Sequence, residues 1–200
     1  MQQTLVTLDM EGVLTPEIWI AVAERTGIPE LRRTTRDEPD YDKLMRYRIE
    51  ILDRQGITLA QIQEVIGTLR PLPGALDFLN TLRGWVPVII LSDTFEQFAA
   101  PLMSQLNWPT LFCHRLEVTR GRISGYVLRQ QDQKKKSVLA LKSLNYRVLS
   151  AGDSYNDTAM LLASDHGFLI HAPDNVKKAF PGLPAVESHA ELLCKIRELL

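Results

Sequence analysis

Four short apolar runs punctuate the chain: TLVTL ahead of Asp9, then VPVIILSD, RVLSAGD and HGFLIHA. Each is a brief, nearly continuous hydrophobic stretch that ends in polar or small residues, the pattern of a strand covered on both faces. Between them, GALDFLNTLRGW spaces Leu76, Leu79 and Leu82 three residues apart before Gly84, and KKSVLALKSLNY and NDTAMLLAS follow similar helical periods. Strands alternating with helices predict an α/β fold with a doubly wound, mainly parallel sheet, which binds ligands beyond the carboxyl ends of its strands. Asp9, Ser92 with Asp93, and Asp153 fall at such ends.

Residues 15–70 read differently. PEIWIAVAERTGI, YDKLMRYRIEILDRQG and TLAQIQEVIGTL are three helical patterns in a row with no strand between them, and RPLPG closes the segment. This predicts a helical cap over the strand ends, inserted into a catalytic core formed by residues 1–14 and 71–200. RGRISGYVLRQ, with Gly121 and Gly125, reads as a β-hairpin with exposed arginines.

Composition narrows the function. The 200 residues, 45% hydrophobic, can bury one good core with a small appendage. Lys and Arg (23) nearly balance Asp and Glu (24), so there is no broad charge footprint for nucleic acid or an anionic membrane. The apolar start is interrupted at Asp9 and no later run approaches a membrane span, so a soluble, cytoplasmic protein is expected. Cys113 and Cys194 lie far apart in no metal-type spacing, and the four histidines, among them His114, His166 and His189, show none either. His171 with Pro173 reads as a strand-to-helix turn, and Trp19, Trp85 and Trp108 as packing residues in the core or under the cap.

The chemistry lies in the acids. A carboxylate can attack phosphorus in line if a divalent cation neutralises the phosphoryl oxygens. A second acid two residues on, on the same side of an extended chain, can protonate the departing alkoxide. Asp9 and Glu11 fit that pair. Magnesium keeps several waters and needs few protein ligands, which the acids of GDSYND can supply: Asp153 directly, with Asp157 behind it. A hydroxyl at Ser92 and an ammonium from KKK would complete a cradle for phosphoryl oxygens. Taken singly, each has a blander reading as a cap, a turn or a solvated face. In order, at successive strand ends, they are specific.

With these residues in place the sequence resembles the haloacid dehalogenase superfamily of phosphotransferases. DMEGV looks like its first motif, LSDT its second, the lysine of KKKSV its third and GDSYND its fourth, and the likeness spans essentially the whole chain. More narrowly, DMEGVLTPEIW, TTRDEPDYDKLM, ILSDTF and AGDSYNDTAML resemble bacterial enzymes that combine phosphoserine phosphatase and phosphoserine:homoserine phosphotransferase activities. The likeness implies Mg2+ held by Asp9, Glu11 and Asp153. It implies small-molecule substrates, phosphoserine and homoserine, met by Glu17, Arg48, Ser92, Asp93, Lys134 and Asn156.

Three points qualify the match. Most phosphatases of the superfamily carry Asp where this chain has Glu11, and the extra methylene makes room for an acceptor larger than water. Lys134, Lys135 and Lys136 point about 100° apart on a helix; counting back from the SVLAL face, and matching the narrower family, selects Lys134. Glu17 can meet an α-ammonium and Arg48 can pair with an α-carboxylate in bidentate fashion, although a first-turn glutamate also favours the helix dipole and an arginine on a polar helix is commonly solvated. The alternatives are a phosphatase for another small phosphate ester, and a non-catalytic phospho-acceptor of the receiver type.

Overall fold

The computed structural model describes residues 2–35, 37, 38 and 40–200; Arg36 and Pro39, both within TTRDEPDYDKLM, lie outside the described residues, as does Met1. β1 (Gln3–Leu8), β2 (Val88–Phe95), β3 (Thr110–Thr119), β4 (Arg122–Val127), β5 (Tyr146–Gly152), β6 (His166–Ile170) and β7 (Ala185–Val186) form one sheet in the order β4-β3-β2-β1-β5-β6-β7. All neighbours are parallel except β3 and β4.

β1 lies between β2 and β5, so the chain winds outward from it in both directions. This makes the end of β1 the switch point, where loops diverge and leave a crevice. The four apolar runs became β1, β2, β5 and β6. Buried Thr7 and Ser150 share a 2.7 Å hydrogen bond across β1 and β5, and Asp9 N–H donates to Ala151 O, which holds the start of the next loop in register.

Helices α1 (Ile18–Thr26), α2 (Tyr41–Arg54) and α3 (Leu59–Thr68) lie between β1 and β2, with a short 3-10 turn at Pro29–Arg32. α4 (Ala75–Arg83) leads into β2 and α5 (Glu96–Met103) follows it, while α6 (Gln133–Ser143), α7 (Thr158–Ala163), α8 (Asp174–Ala179) and α9 (His189–Arg197) complete the chain. One core cluster joins the first five helices and α9 to one side of the sheet, and a smaller one around Leu91, Val138, Val148, Met160 and Leu169 packs α6 to α8 on the other.

The β3–β4 hairpin turns at Arg120 and Gly121, both at positive φ (51° and 75°), the backbone a two-residue hairpin requires. Its second strand, β4, also packs against α2. Tyr126 Oη donates to the Asp42 carboxylate at 2.6 Å, Arg122 pairs with Asp53 at 3.1 Å, and Leu59 N–H donates to Gly121 O at 2.9 Å. Trp108 is a correction to the expected packing role: at the turn before β3 it is 67% exposed.

Candidate active site

Asp9 follows β1 directly, and the next residues fold back at once: Met10 O accepts from the N–H groups of Leu14 and Thr15, and Gly12 N–H donates to Thr15 O. Gly12 has φ +78°, and a Cβ there would sit 2.5 Å from Asp153 Oδ2. Only glycine lets this turn close onto Asp153. Gly152 is equally constrained, since its Cβ would meet the Asp157 side chain at 2.5 Å. The two acid-bearing loops therefore touch.

Lys134 ties them together. Its Nζ donates to Asp9 Oδ1 at 2.8 Å and to Asp157 Oδ1 at 2.7 Å, and Asp93 Oδ2 lies 3.8 Å away. Lys135 and Lys136 are exposed. Lys134 comes from the first turn of α6, where one face of the helix aims it inward. Burial alone would lower the ammonium's pKa, but Asp157 and Asp9 outweigh it and hold it well above the ordinary value. Asp157 Oδ2 accepts from the N–H groups of Asp153 and Ser154, so this carboxylate orients both the lysine and the loop carrying Asp153.

Carboxylate oxygens of Asp9, Asp153 and Asp157 lie within 4.8 Å of one another, all buried. Burial and the neighbouring Asp157 push Asp9 up, and the same causes, with Glu17 adding to them, push Asp153 up to about 7. Three buried acids beside one ammonium leave an excess of negative charge that a hard divalent cation would relieve, and an all-oxygen donor set suits Mg2+. The residues present fit that ion. The Glu11 carboxylate stands outside this trio: it accepts from Ile18 N–H at 2.8 Å, the first amide of α1. Burial, then Glu17, raises Glu11 to about 7, against the pull of the Ile18 amide.

Ser92 and Asp93 sit where pairing between β2 and β3 breaks, between Leu91 and Phe95. That irregularity turns Ser92 toward the crevice. Asp93 was expected to touch substrate, yet it is engaged by protein groups: Gln133 Nε2 at 3.2 Å, His114 Nε2 at 3.6 Å and Asn156 Nδ2 at 3.4 Å. Burial would raise it, but Lys134 and the His114 and Gln133 hydrogen bonds bring it well below the usual carboxylate range.

From the segment between β1 and β2, Glu17, Trp19, Thr34, Thr35, Tyr41 and Arg48 line a cavity of about 130 Å³ together with the acids at the strand ends. All the sequence-selected residues line it: Asp9, Glu11, Glu17, Arg48, Ser92, Asp93, Lys134, Asp153 and Asn156. Arg48 is 5% exposed, stacks its guanidinium 4.4 Å over Trp19 and donates from Nη2 to Arg33 O at 2.6 Å. Its buried Nε has no hydrogen-bond partner among the described residues. Burial lowers its pKa to about 10, which leaves it charged at neutral pH.

Sequence reasoning missed Tyr41, whose Oη donates to Asp93 O at 2.8 Å, and Gln133, which holds Ser92 O and Asp93. Gln133 could have been flagged by its position next to Lys134 at the start of the same helix.

Residues 4–165 match the haloacid dehalogenase-like hydrolase family. The chain belongs to that family. This haloacid dehalogenase-like hydrolase is 58% identical over 186 residues to the phosphoserine phosphatase ThrH of Pseudomonas aeruginosa, covering 92% of this chain and 91% of that one. It is 60% identical to a phosphoserine phosphatase of Pseudomonas syringae, covering 92% and 78%. A solved phospho-aspartyl intermediate analogue of phosphoserine phosphatase superposes with a TM-score of 0.80 at 16% identity, over 98% of this chain and 99% of that one, a likeness of fold. Among the described residues no helix is long and apolar enough to cross a membrane.

Proposed function

We propose that this hydrolase is a magnesium-dependent phosphoserine phosphatase that works through a phosphorylated Asp9 and can pass the phosphoryl group to homoserine as well as to water. The observation that carries the reading is Arg48, a buried guanidinium with an unpartnered Nε, which lines the same small cavity as Asp9 and Lys134. A buried donor without a partner is costly, and a substrate carboxylate would satisfy it. Glu17, on the same wall, suits an α-ammonium. The two highly similar relatives named phosphoserine phosphatase support the amino-acid substrate.

In the first step an Asp9 oxygen attacks phosphorus, the ester P–O bond breaks, and Glu11 gives its proton to the departing serine oxygen. A pKa near 7 leaves a useful fraction of Glu11 protonated at neutral pH. In the second step the Glu11 carboxylate takes a proton from water or from the homoserine hydroxyl. That oxygen attacks the phosphorus, Asp9 leaves as a free carboxylate, and phosphate or phosphohomoserine departs. Lys134 and Ser92 meet the phosphoryl oxygens, and Asp157 keeps Lys134 charged and aimed. A magnesium ion held by the carboxylates of Asp9 and Asp153 and by the backbone carbonyl of Glu11, which leaves the Glu11 carboxyl free to carry the proton, would draw electron density from the phosphoryl oxygens.

The test is turnover of phosphoserine with magnesium, with and without homoserine, measuring serine, free phosphate and phosphohomoserine. Asp9→Asn keeps the shape and removes the attacking charge, so a folded variant should lose hydrolysis by orders of magnitude. Near-normal turnover by that variant would refute the covalent route. A receiver-type domain would instead be phosphorylated once and stop. Release of phosphate without phosphohomoserine would limit the enzyme to hydrolysis.

A further inference from the structure

Two histidines from the far end of the chain close on the turn that carries Glu11, and the mechanism above uses neither. His171, just past β6, brings Nδ1 to 3.1 Å from Gly12 O; His189, the first residue of α9, brings Nε2 to 2.7 Å from Val13 O. Carbonyl oxygens only accept, so each of these two nitrogens must carry a hydrogen to make its bond.

The rings support each other edge to face at 5.2 Å, and His189 stacks on Phe78 at 4.8 Å. The turn's remaining bonds are made within itself or to the returning chain: Met10 O and Thr15 O accept from its own amides, and Leu14 O accepts from Leu72 N–H. The histidines thus take two carbonyls, consecutive in sequence, of residues that do not line the cavity. His171 adopts φ 54°, an uncommon conformation for a residue with a side chain, and that backbone is what delivers its ring to Gly12.

We propose that His171 and His189 are positioning residues that clamp the Gly12–Val13 segment, fixing the Glu11 carboxylate against Ile18 N–H and holding Gly12 flush with Asp153. The proposal rests on the reading of Glu11 as the acid that protonates the leaving oxygen. Freed of the clamp, the turn would let Glu11 wander from the departing oxygen while Asp9, pinned by Lys134 and Ala151 O, stays in place. Loss should therefore fall on esters that need an acid, such as phosphoserine, and spare p-nitrophenyl phosphate, whose leaving group departs unaided.

The experiment compares kcat/KM, which reports steps through leaving-group departure, for both esters in His171→Ala, His171→Asn and His189→Gln, with Glu11→Gln as reference. Asparagine tolerates the left-handed backbone and offers a donor near the Nδ1 position, and glutamine does so near Nε2. His171→Ala should lose about fivefold to tenfold on phosphoserine and little on the aryl ester, the loss of one hydrogen bond's worth of positioning. His171→Asn should recover to within about twofold of the parent enzyme, and His189→Gln, which keeps a donor, should stay within the same margin.

His171 is exposed, so its alanine variant is expected to fold, and thermal melting checks this. A folded His171→Ala with unchanged kcat/KM, equal losses on both esters, or no recovery in His171→Asn would each overturn the clamp. If Glu11→Gln itself fails to separate the two esters, the assignment of Glu11 as the acid fails, and that outcome is read independently of the histidines.

Discussion

Arg48 offers the sharpest test of substrate class. Its guanidinium already spends Nη2 on Arg33 O, Nη1 on Met45 Sδ at 3.8 Å and one face on Trp19, leaving Nε without a partner among the described residues of a side chain that lines the cavity. A carboxylate docked there gains charge-assisted hydrogen bonds of about 1.5–3 kcal/mol in total, or roughly tenfold to a hundredfold in kcat/KM. The phosphoryl group does not reach this wall, so the loss should follow the amino-acid part of the substrate. Arg48→Lys keeps charge without the planar fork and should fall between wild type and Arg48→Ala on phosphoserine. Arg48→Ala also releases Arg33 O and bares Trp19, so some loss is expected on every substrate. The diagnostic quantity is therefore the ratio of kcat/KM for phosphoserine to that for p-nitrophenyl phosphate, which lacks both amino and carboxyl groups. A ratio unchanged by either variant would mean that Arg48 only braces the cap, and the reasoning from its unpartnered Nε would be wrong.

Three other perturbations have defined outcomes. Glu11 must be protonated to act as the acid, so kcat/KM on phosphoserine should fall about tenfold per pH unit above about 7, and Glu11→Gln should lack that limb; a flat profile would remove Glu11 from the acid role. Glu11 and Asp153 are both raised to about 7 from ordinary values of 4.5 and 3.8. The stability they lend is present at low pH and lost as pH rises through about 7, so magnesium-free protein should melt lower at pH 8 than at pH 5.5, with added magnesium erasing the trend in differential scanning fluorimetry. Gly12→Ala forces a Cβ into Asp153 at a positive φ and should cost about 1–3 kcal/mol in urea unfolding, with most of the activity; wild-type values for both would contradict the close approach.

Legibility in the sequence tracked how a segment is buried. β1, β2, β5 and β6 are sandwiched between helices, so their hydrophobicity is continuous and their ends, with Asp9, Ser92 and Asp153, could be found by eye. β3 was invisible because its first half pairs in parallel with β2 while its second half belongs to an exposed hairpin, and TLFCHRLEVT shows neither pattern for long enough. β7 is two residues and carries no signal. Among the site residues, the acids and Lys134 announce themselves through spacing and helical phase. The partners that tune them do not. The hold of Ile18 N–H on Glu11 is a backbone contact, and the grip of His114 and Gln133 on Asp93 joins segments whose adjacency only the sheet order creates.

The hairpin's three attachments to α2 and α3 change what counts as a transferable part. By sequence, the helices inserted between β1 and β2 are one uninterrupted stretch, which invites replacing them wholesale to redirect specificity. In space, Asp42, Asp53 and Leu59 are moored to Tyr126, Arg122 and Gly121, more than sixty positions downstream. An insert borrowed from a relative without its own hairpin would arrive with these polar contacts severed. Chimeras should therefore exchange residues 110–127 together with the helices, treating two distant stretches of the gene as a single module.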